Sequence, residues 1–249
     1  MLTAERRQEI LVRLERDGKV VASELVDALG VSEDTVRRDL RELAANGLVQ
    51  RVHGGALPLA PSAASFAQRL EIAPEAKAGL AEAALPLLEG AKVLLLDGGT
   101  TALELARRLP AARAVTVLTN SPPVASALAS HPRAEVVLIG GRLLKDAQVT
   151  VGSETVDSLR RVRADVCVLG ICSLHPELGV TALDHDEAHV KRAMVAAAGD
   201  VVALATKDKL RTASPWLVAP LDHVTHLVTD GAADVTDEYA AAGVGVVRA

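Results

Sequence analysis

From residue 75 to the C-terminus, short and continuously apolar runs alternate with longer segments of helical periodicity. Strands that are apolar on both faces are buried on both faces, and the segments between them supply the helices that cover them. The alternation therefore predicts a mostly parallel sheet with helices on both sides. The predicted strands are Val93–Leu96, Val115–Leu118, Val136–Ile139, Val166–Leu169, Val201–Leu204 and His226–Thr229, with Val244–Val247 as a further one.

Small polar residues and glycines follow three of these strands. In open α/β sheets, ligands bind beyond the carboxyl ends of the strands. Glycines let backbone N–H groups approach a ligand, and threonines at the start of a helix add hydroxyl donors, an arrangement suited to phosphate. Each segment alone is also compatible with an ordinary strand-to-helix turn, but three at one sheet edge favour a binding site. The candidate residues are Asp97, Gly99, Thr100, Thr101, Thr119, Asn120, Ser121, Gly140 and Gly141.

The first 56 residues have a different pattern. We predict helices over Thr3–Arg16 and Ala22–Leu29, a turn at Gly30, and a third helix that begins after Ser32 and ends before Gly47. A strand-like segment over residues 48–52 follows, and a glycine pair closes it. Three helices followed by a small hairpin form a winged helix-turn-helix, a DNA-binding unit.

The third helix has one apolar face and one basic face. Val36, Leu40 and Leu43 form the apolar stripe, and Arg38 and Arg41 point away from it. Arginine can bind guanine bidentately, and both arginine and threonine can bind phosphate. Taken alone, the helix could be any amphipathic surface helix; its neighbours favour DNA binding. The candidate DNA contacts are Ser32, Thr35, Arg37, Arg38, Arg41, Arg51 and His53.

The chain resembles the DeoR family of bacterial transcriptional regulators. The resemblance rests on residues 5–11, 29–40 and 51–56, and on the later segments 96–101, 118–121, 140–141, 152, 164–170, 179–181 and 187–194. It implies a sugar-phosphate sensor domain related in fold to ribose-5-phosphate isomerase, glucosamine-6-phosphate deaminase and CoA transferases. It also implies a regulator, most often a repressor, of a carbohydrate-related operon. By the same resemblance, Thr100, Thr101, Asn120 and Ser121 would bind phosphate or sugar hydroxyls, and Glu187, Lys191 and Lys209 would complete the pocket.

One position of the predicted sensor domain departs from the family pattern. The family usually has an aspartate in the segment after the strand at 201–205, where this chain has Thr206. The departure leaves open a DNA-binding protein with a degenerate sensor. A sugar-phosphate isomerase-like or deaminase-like enzyme is a further alternative. The segment 170–174, where the isomerase has acids, has none here, so no general base is evident there. We therefore expect a sensor and not an enzyme.

Composition sets the remaining expectations. The net charge is −5, and residues 1–60 contain nine Lys/Arg and ten Asp/Glu, so DNA binding must depend on charge collected on one face. Cys167 and Cys172 lack partners at metal-ligand spacing, and we expect small buried side chains without a metal, cofactor or disulfide. We find no signal peptide and no apolar run near the ~20 residues of a membrane span, and expect a cytoplasmic protein.

We expect three parts: a DNA-binding domain over 1–56, a semi-extended linker over 57–74, and a sensor domain over 75–249. The expected partners are double-stranded operator DNA, a phosphorylated sugar and further copies of the chain. A homo-oligomer would place two recognition helices in successive major grooves.

Overall fold

The computed structural model describes residues 2–59 and 64–249. Its N-terminal part contains three helices and a small antiparallel sheet. Strand β3 (Gly55–Leu57) lies between β1 (Val20–Val21) and β2 (Gln50–Val52), so the hairpin of the wing gains a third strand from the segment before the second helix. The winged helix-turn-helix is thus confirmed. Its elements are α1 (Thr3–Asp17), β1 (Val20–Val21), α2 (Ala22–Leu29), α3 (Glu33–Ala45), β2 (Gln50–Val52) and β3 (Gly55–Leu57).

The boundaries of α3 have local causes. Gly30 has a φ of +63°, a left-handed conformation that glycine adopts without strain, and it turns the chain between α2 and α3. The Ser32 side chain then accepts a hydrogen bond from the Thr35 N–H at 3.3 Å and caps the helix. Ile10, Leu25, Val36, Leu40 and Leu43 share the apolar core that holds the three helices together. The predicted apolar face of α3 is therefore the buried one.

The segment that joins this unit to the rest of the chain contains a short helix. Residues 60–63 of the predicted linker lie outside the described residues. Leu57 belongs to β3, and α4 (Phe66–Glu71) begins at a capping box formed by Ser65 and Gln68. The prediction of a semi-extended segment is therefore wrong over 66–71. The capping box and the burial of Phe66 outweigh the effect of the neighbouring Ala, Pro and Ser residues.

The remainder forms a parallel sheet covered on both faces, as predicted. The strands are β4 (Val93–Leu96), β5 (Val115–Thr119), β6 (Ala134–Leu138), β7 (Arg142–Leu144), β8 (Val149–Val151), β9 (Ala164–Gly170), β10 (Ser173–His175), β11 (Gly179–Ala182), β12 (Ala198–Leu204), β13 (Trp216–Ala219), β14 (His226–Thr229) and β15 (Gly245–Arg248). The helices are α5 (Pro74–Ala84), α6 (Thr100–Arg108), α7 (Pro122–Leu128), α8 (Ser153–Leu159), α9 (His185–Ala196) and α10 (Ala233–Ala241). The main sheet has the order β15-β14-β12-β9-β4-β5-β6, and its neighbouring strands are parallel.

One apolar cluster lies on each side of this sheet. Helices α5, α6 and α7 contribute to one cluster, and α8, α9 and α10 contribute to the other. Strands β4 and β9 lie in the middle of the sheet, so the polar segments that follow them are close together at its carboxyl edge.

Two antiparallel additions were not predicted. Strands β7 and β8 form a hairpin, and β10, β11 and β13 form a separate small sheet. Each strand has only three or four residues, too few for an alternating pattern to be recognised. Both additions lie beyond the carboxyl edge of the main sheet, where Val149 of the hairpin and Cys172, just before β10, line a cavity.

Among the described residues, no helix combines the length and apolar character needed to cross a membrane. Neither cysteine forms a disulfide. Cys167 is fully buried, and burial raises the pKa of its thiol. Cys172 is only half-buried and lines the cavity, so the prediction of a buried side chain is confirmed for Cys167 alone.

Candidate functional site

Helix α3 and the wing form a basic groove on the N-terminal unit. Its volume is about 370 Å³, and Arg37, Arg41, Arg51 and His53 are among its lining residues. Arg41, Arg51 and His53, like the neighbouring Arg38, are exposed and form no side-chain hydrogen bond or ion pair with another described residue. The side chains predicted to contact DNA therefore lie together on one surface.

The remaining predicted contacts are partly engaged within α3 itself. Ser32 and Thr35 hydroxyls lie 2.9 Å apart, and Arg37 donates a hydrogen bond to Glu33 at 2.6 Å. The Arg37–Glu33 pair is exposed and hence weak, so the arginine can exchange the carboxylate for a phosphate. All three residues remain at the surface or close to it.

Two acids of α3 pair with arginines of α1 and not with the arginines of the groove. Asp39 faces the interior, where Arg6 and Arg7 of α1 bind its carboxylate. Burial raises the pKa of Asp39, but the hydrogen bonds from the two arginines outweigh burial and lower it. Arg7 also pairs with Glu42. The arginines of α1 therefore neutralise Asp39 and Glu42 and leave the exposed arginines of α3 and the wing free of these two acids.

A second cavity, of about 580 Å³, lies at the carboxyl edge of the main sheet. This volume is in the range that binds small molecules. Of the predicted effector residues, Gly99, Thr100, Thr101, Glu187, Lys191 and Lys209 line it. Asp97 is not part of the lining, but its carboxylate binds the ammonium of Lys191, which is.

The floor of the cavity is a buried ion pair. Asp97 accepts hydrogen bonds from Lys191 and from the backbone N–H groups of Gly98 at 2.7 Å and Gly170 at 3.0 Å. Lys191 also lies 3.3 Å from the Glu187 carboxylate. Burial lowers the pKa of Lys191, but the two carboxylates outweigh burial and raise it. The ammonium therefore stays charged and holds β4, β9 and α9 together under the ligand space.

The N-terminus of α6 opens into the same cavity. Gly98 lies so close to the hairpin that a Cβ atom there would be 2.1 Å from the Val149 side chain. Gly99 has a φ of +112°, which favours glycine, and its backbone leads into the helix. The first N–H groups of a helix have no partner within it and attract anions, and the Thr100 and Thr101 hydroxyls lie beside them.

The other predicted residues lie outside the cavity lining and hold the covering hairpin. Thr119 accepts a hydrogen bond from the Ser121 N–H at 3.1 Å. Asn120 Nδ2 donates to the Thr150 carbonyl at 2.9 Å, and Ser121 Oγ donates to the Gln148 carbonyl at 3.2 Å. Asn120 Oδ1 is buried without a hydrogen-bond partner among the described residues. These contacts position β8 over the sheet edge.

Gly140 and Gly141 also lie outside the cavity lining. The Thr155 hydroxyl donates to the Gly140 carbonyl at 2.8 Å. A Cβ atom on Gly141 would be 2.0 Å from the same hydroxyl oxygen, so this glycine permits close packing of the segment against α8.

Three cations that line the cavity were not predicted as site residues. They are Arg69 of α4, Lys77 of α5 and the exposed Lys207 after β12. The Lys77 ammonium donates hydrogen bonds to the Arg69 and Ile72 carbonyls at the end of α4. Burial, and then the nearby Arg69 charge, lower the pKa of Lys77. No spacing in the sequence places α4 and the start of α5 against the sheet edge, so only the tertiary structure identifies Arg69 and Lys77.

The turn after β12 completes the wall. Thr206 is buried at 4% exposure and lines the cavity together with Asp208, Lys209 and Asp230. Asp230 accepts a hydrogen bond from the Lys207 N–H at 2.6 Å. Burial lowers the pKa of Lys209 to about 8, and Lys209 forms no hydrogen bond or ion pair with another described residue. The described residues contain no cluster of three or more possible metal ligands.

Comparison with known proteins gives family matches to both parts of the chain. Residues 6–60 match the DeoR-like helix-turn-helix domain, and residues 72–231 match the DeoR C-terminal sensor domain. The HTH-type transcriptional regulator GlpR of Haloferax volcanii is 37% identical over 99% of this chain and 98% of its own length. The HTH-type transcriptional repressor GlcR of Bacillus subtilis is 31% identical over 92% of this chain and 89% of its own length.

One of the similar solved structures aligns with most of this chain. The full-length sorbitol operon regulator SorC from Klebsiella pneumoniae has a TM-score of 0.45 and 12% identity, over 92% of this chain and 96% of that one. Ribose 5-phosphate isomerase A from Methanocaldococcus jannaschii has a TM-score of 0.39 and 16% identity, over 55% of this chain and 54% of that one.

Proposed function

Because the chain belongs to the DeoR family of transcriptional regulators, we propose that it represses a carbohydrate-related operon until a phosphorylated sugar binds at the sheet edge. The cavity carries this proposal: it combines the N-terminus of α6, two threonines and an unpaired lysine in about 580 Å³. Dipolar N–H groups and a cation favour a phosphate, and the surrounding hydroxyl and carboxylate groups suit sugar hydroxyls.

Operator DNA is proposed to bind at the groove between α3 and the wing. Arg38 and Arg41 would reach base edges or phosphates in the major groove, while Arg51 and His53 contact the backbone from the wing. Ser32, Thr35 and Arg37, at the N-terminal end of α3, would contact phosphate. Because these contacts are ionic, operator affinity should fall steeply with salt concentration.

We further propose that the chain acts as a homo-oligomer with two functional units. Residues 1–56 would bind DNA and residues 75–249 would sense the effector, with 57–74 joining them. A symmetric dimer would present two copies of α3 to half-sites about 34 Å apart or a multiple of that distance. A regulator of this kind would act in the cytoplasm, and analytical ultracentrifugation with and without an operator duplex measures its stoichiometry.

Thermal unfolding against phosphorylated sugars and their unphosphorylated forms tests the effector assignment. A ligand at 100 times its dissociation constant adds about 2.7 kcal/mol to the stability of the domain it binds. The proposal requires stabilisation that depends on the phosphate and a matching loss of operator binding. Stabilisation by no member of the panel, with operator binding intact, would instead support a degenerate sensor, to which the Thr206 substitution would contribute.

The cavity is proposed to sense its ligand without transforming it. Three of the carboxylates that line it are engaged: Glu187 pairs with Lys191, Asp184 accepts a hydrogen bond from the Glu187 N–H at 2.8 Å, and Asp230 accepts one from the Lys207 N–H at 2.6 Å. Isomerisation needs a carboxylate or another base free to take a proton from carbon. Incubation with phosphorylated aldoses, ketoses and amino sugars should give no product, and turnover that Glu187→Gln abolishes would establish an enzyme.

A further inference from the structure

Two histidines of α9 direct the same ring nitrogen towards each other on the surface of the sensor. His185 and His189 are exposed, and their Nε2 atoms lie 3.3 Å apart. Residues four apart lie on one face of a helix, so both rings project from the same side of α9. Neither histidine lines the sheet-edge cavity or the groove on the DNA-binding unit. The proposed function therefore leaves the pair unexplained.

The separation of the two nitrogens matches that of a metal chelate. Zinc binds imidazole nitrogen at about 2.0–2.1 Å in tetrahedral geometry, so two nitrogens on one ion lie about 3.3–3.4 Å apart. Zinc sites on helices use histidines at the same spacing of four residues. As a hydrogen bond, 3.3 Å is longer than the usual range of about 2.7–3.2 Å. The pair therefore fits a shared ion better than a shared proton.

Neighbouring side chains hold the ring of His185 in this position. It packs edge-on against Trp216 of β13, with ring centroids 4.5 Å apart, and against His189 at 4.6 Å. Its Nδ1 lies 3.6 Å from Asp186 Oδ1. A carboxylate on that side favours a proton on Nδ1 and leaves the lone pair of Nε2 for a metal. His185 is thus oriented as a ligand.

Arg192 acts against the same state of His189. The arginine donates hydrogen bonds to the Leu217 carbonyl from Nε at 2.8 Å and from Nη2, and its Nη1 lies 3.4 Å from His189 Nδ1. A guanidinium has donors only, so it favours a bare Nδ1 and a protonated Nε2. A metal on Nε2 needs the opposite tautomer. The length of the contact makes its effect small, and loss of Arg192 should strengthen metal binding.

We propose that His185 and His189 chelate a divalent transition-metal ion of the zinc or nickel type on the surface of α9. Imidazole is a preferred ligand of these ions. No third His, Cys, Asp or Glu completes a cluster with the pair in the part of the chain that the structure describes, so water would fill the other positions on the ion. The inference does not depend on the proposed effector, because it uses neither the cavity nor the DNA groove.

The ion would brace the N-terminal end of α9. The two histidines flank Glu187 in the sequence, and Glu187 lies beside Lys191 in the cavity. A chelate across His185 and His189 would fix the turn that carries Glu187. An ion that binds only the folded chain also raises its stability, so Zn²⁺ should raise the melting temperature of the full chain.

The test titrates Ni²⁺ into the full chain and follows the fluorescence of Trp216, the sole tryptophan. Nickel is a paramagnetic ion that quenches indole at short range, and the His185 ring is in contact with that of Trp216. Isothermal titration with Zn²⁺ gives the stoichiometry and affinity. Addition of EDTA should restore the fluorescence.

The variants are His185→Gln, His189→Gln, the double variant and Arg192→Gln. The matched control is His223→Gln, because His223 is an exposed histidine of the sensor that also follows an aspartate, with its Nε2 4.0 Å from Asp222. Melting curves without metal establish that each variant folds.

Wild type should bind one ion per chain at this site and lose Trp216 fluorescence. His185→Gln and His189→Gln should each weaken binding by about tenfold or more, because the second ligand of a chelate binds intramolecularly. The double variant should lose little beyond either single variant. Arg192→Gln should bind more tightly than wild type, and His223→Gln should bind as wild type does.

Two outcomes would overturn the inference. If each single variant removes half of the bound ions and the double variant removes the rest, His185 and His189 are separate weak sites and not a chelate. If the double variant binds Zn²⁺ as tightly as wild type, or if Ni²⁺ quenches Trp216 equally in both, the ion binds elsewhere on the chain.

Discussion

On the surface of α3, the arginines predicted to contact DNA are exposed to solvent. In the sheet-edge cavity, Lys77 and Lys191 are buried, Lys209 is half-buried, and the three lysines differ in their partners. Arg38 and Arg41 owe their positions to helical periodicity alone. Lys191, Lys77 and Lys209 owe theirs to three separate elements that meet only in the folded chain. Surface sites built on one helix can therefore be changed without unfolding the protein, while part of the cavity is also structural.

The DNA-binding unit buries the carboxylate of Asp39, and the sensor buries that of Asp97. Removing either carboxylate should have the largest effect on stability. Asp97→Ala leaves Lys191 buried without its main partner, which costs about 3–5 kcal/mol of unfolding free energy. Asp39→Ala should cost a similar amount, because it leaves the buried Arg6 without a carboxylate among the described residues, although Arg7 keeps 25% of its side-chain surface exposed and still pairs with Glu42.

Denaturant titrations measure both variants. The sole tryptophan, Trp216, lies in the sensor and reports its unfolding by fluorescence, and circular dichroism follows the whole chain. Glu33→Ala, which removes an exposed carboxylate on α3, serves as the control and should change stability by less than about 1 kcal/mol. An Asp97→Ala cost no larger than that of Glu33→Ala would show that Lys191 does not depend on Asp97.

The second prediction tests whether the α3 surface is independent of the fold. Arg38→Ala should leave the melting temperature unchanged and weaken operator binding by about 1–3 kcal/mol if the arginine reads a base. If it contacts phosphate, affinity for all DNA should fall equally and the salt dependence should become shallower. Fluorescence anisotropy with operator and scrambled duplexes distinguishes these outcomes.

The control for Arg38 is Arg16→Ala. Arg16 is an exposed arginine in the last turn of α1, paired with Asp17 and remote from the groove. Equal losses in the two variants would mean that net charge, and not the position of Arg38, determines binding.

The contrast between the two sites also explains what the sequence could predict. Gly30, Ser32 and the Val36–Leu40 spacing specify α3 locally, so its exposed face was predicted residue by residue. The main sheet was predicted equally well, because its strands are continuous apolar runs. The antiparallel additions were not predicted, because their strands are too short to have a recognisable period.

Within the cavity, prediction worked where a residue directly follows a strand. Thr100 and Thr101 line the cavity, as expected from the end of β4. Asn120 and Ser121 also follow a strand, but they bind the β8 hairpin, whose existence the sequence did not indicate. Arg69 and Lys77 come from outside the strand pattern altogether. A long-range contact of this kind has no local signature.

The third prediction uses the pH dependence of phosphate binding to distinguish Lys209 from the other cations of the cavity. Lys209 is protonated below its pKa of about 8 and loses its charge above it. A bound phosphate favours the charged form, so its affinity should be constant up to pH 8 and then fall by about tenfold per pH unit. Titration from pH 7 to 9.5 measures this, and sugar phosphates are already dianionic throughout.

Arginine does not titrate in this range, which makes Lys209→Arg the matched variant. It should bind phosphate with little pH dependence. A decline that persists in Lys209→Arg would assign the titrating group to another residue of the cavity, with Lys77 as the first to examine.

The smallest expected effects concern two turns that share a left-handed backbone conformation: Gly30 in the DNA-binding unit and Ala73 in the segment that joins it to the sensor. Gly30 has a φ of +63° and open space around its Cα, so Gly30→Ala should cost about 1 kcal/mol from the conformation alone. Ala73 has a φ of +46° between α4 and α5, and Ala73→Gly should relieve a strain of similar size, offset in part by the greater freedom of glycine in the unfolded chain. Melting temperatures should therefore move in opposite directions. A destabilised Ala73→Gly variant would show that the α4–α5 corner is not strained.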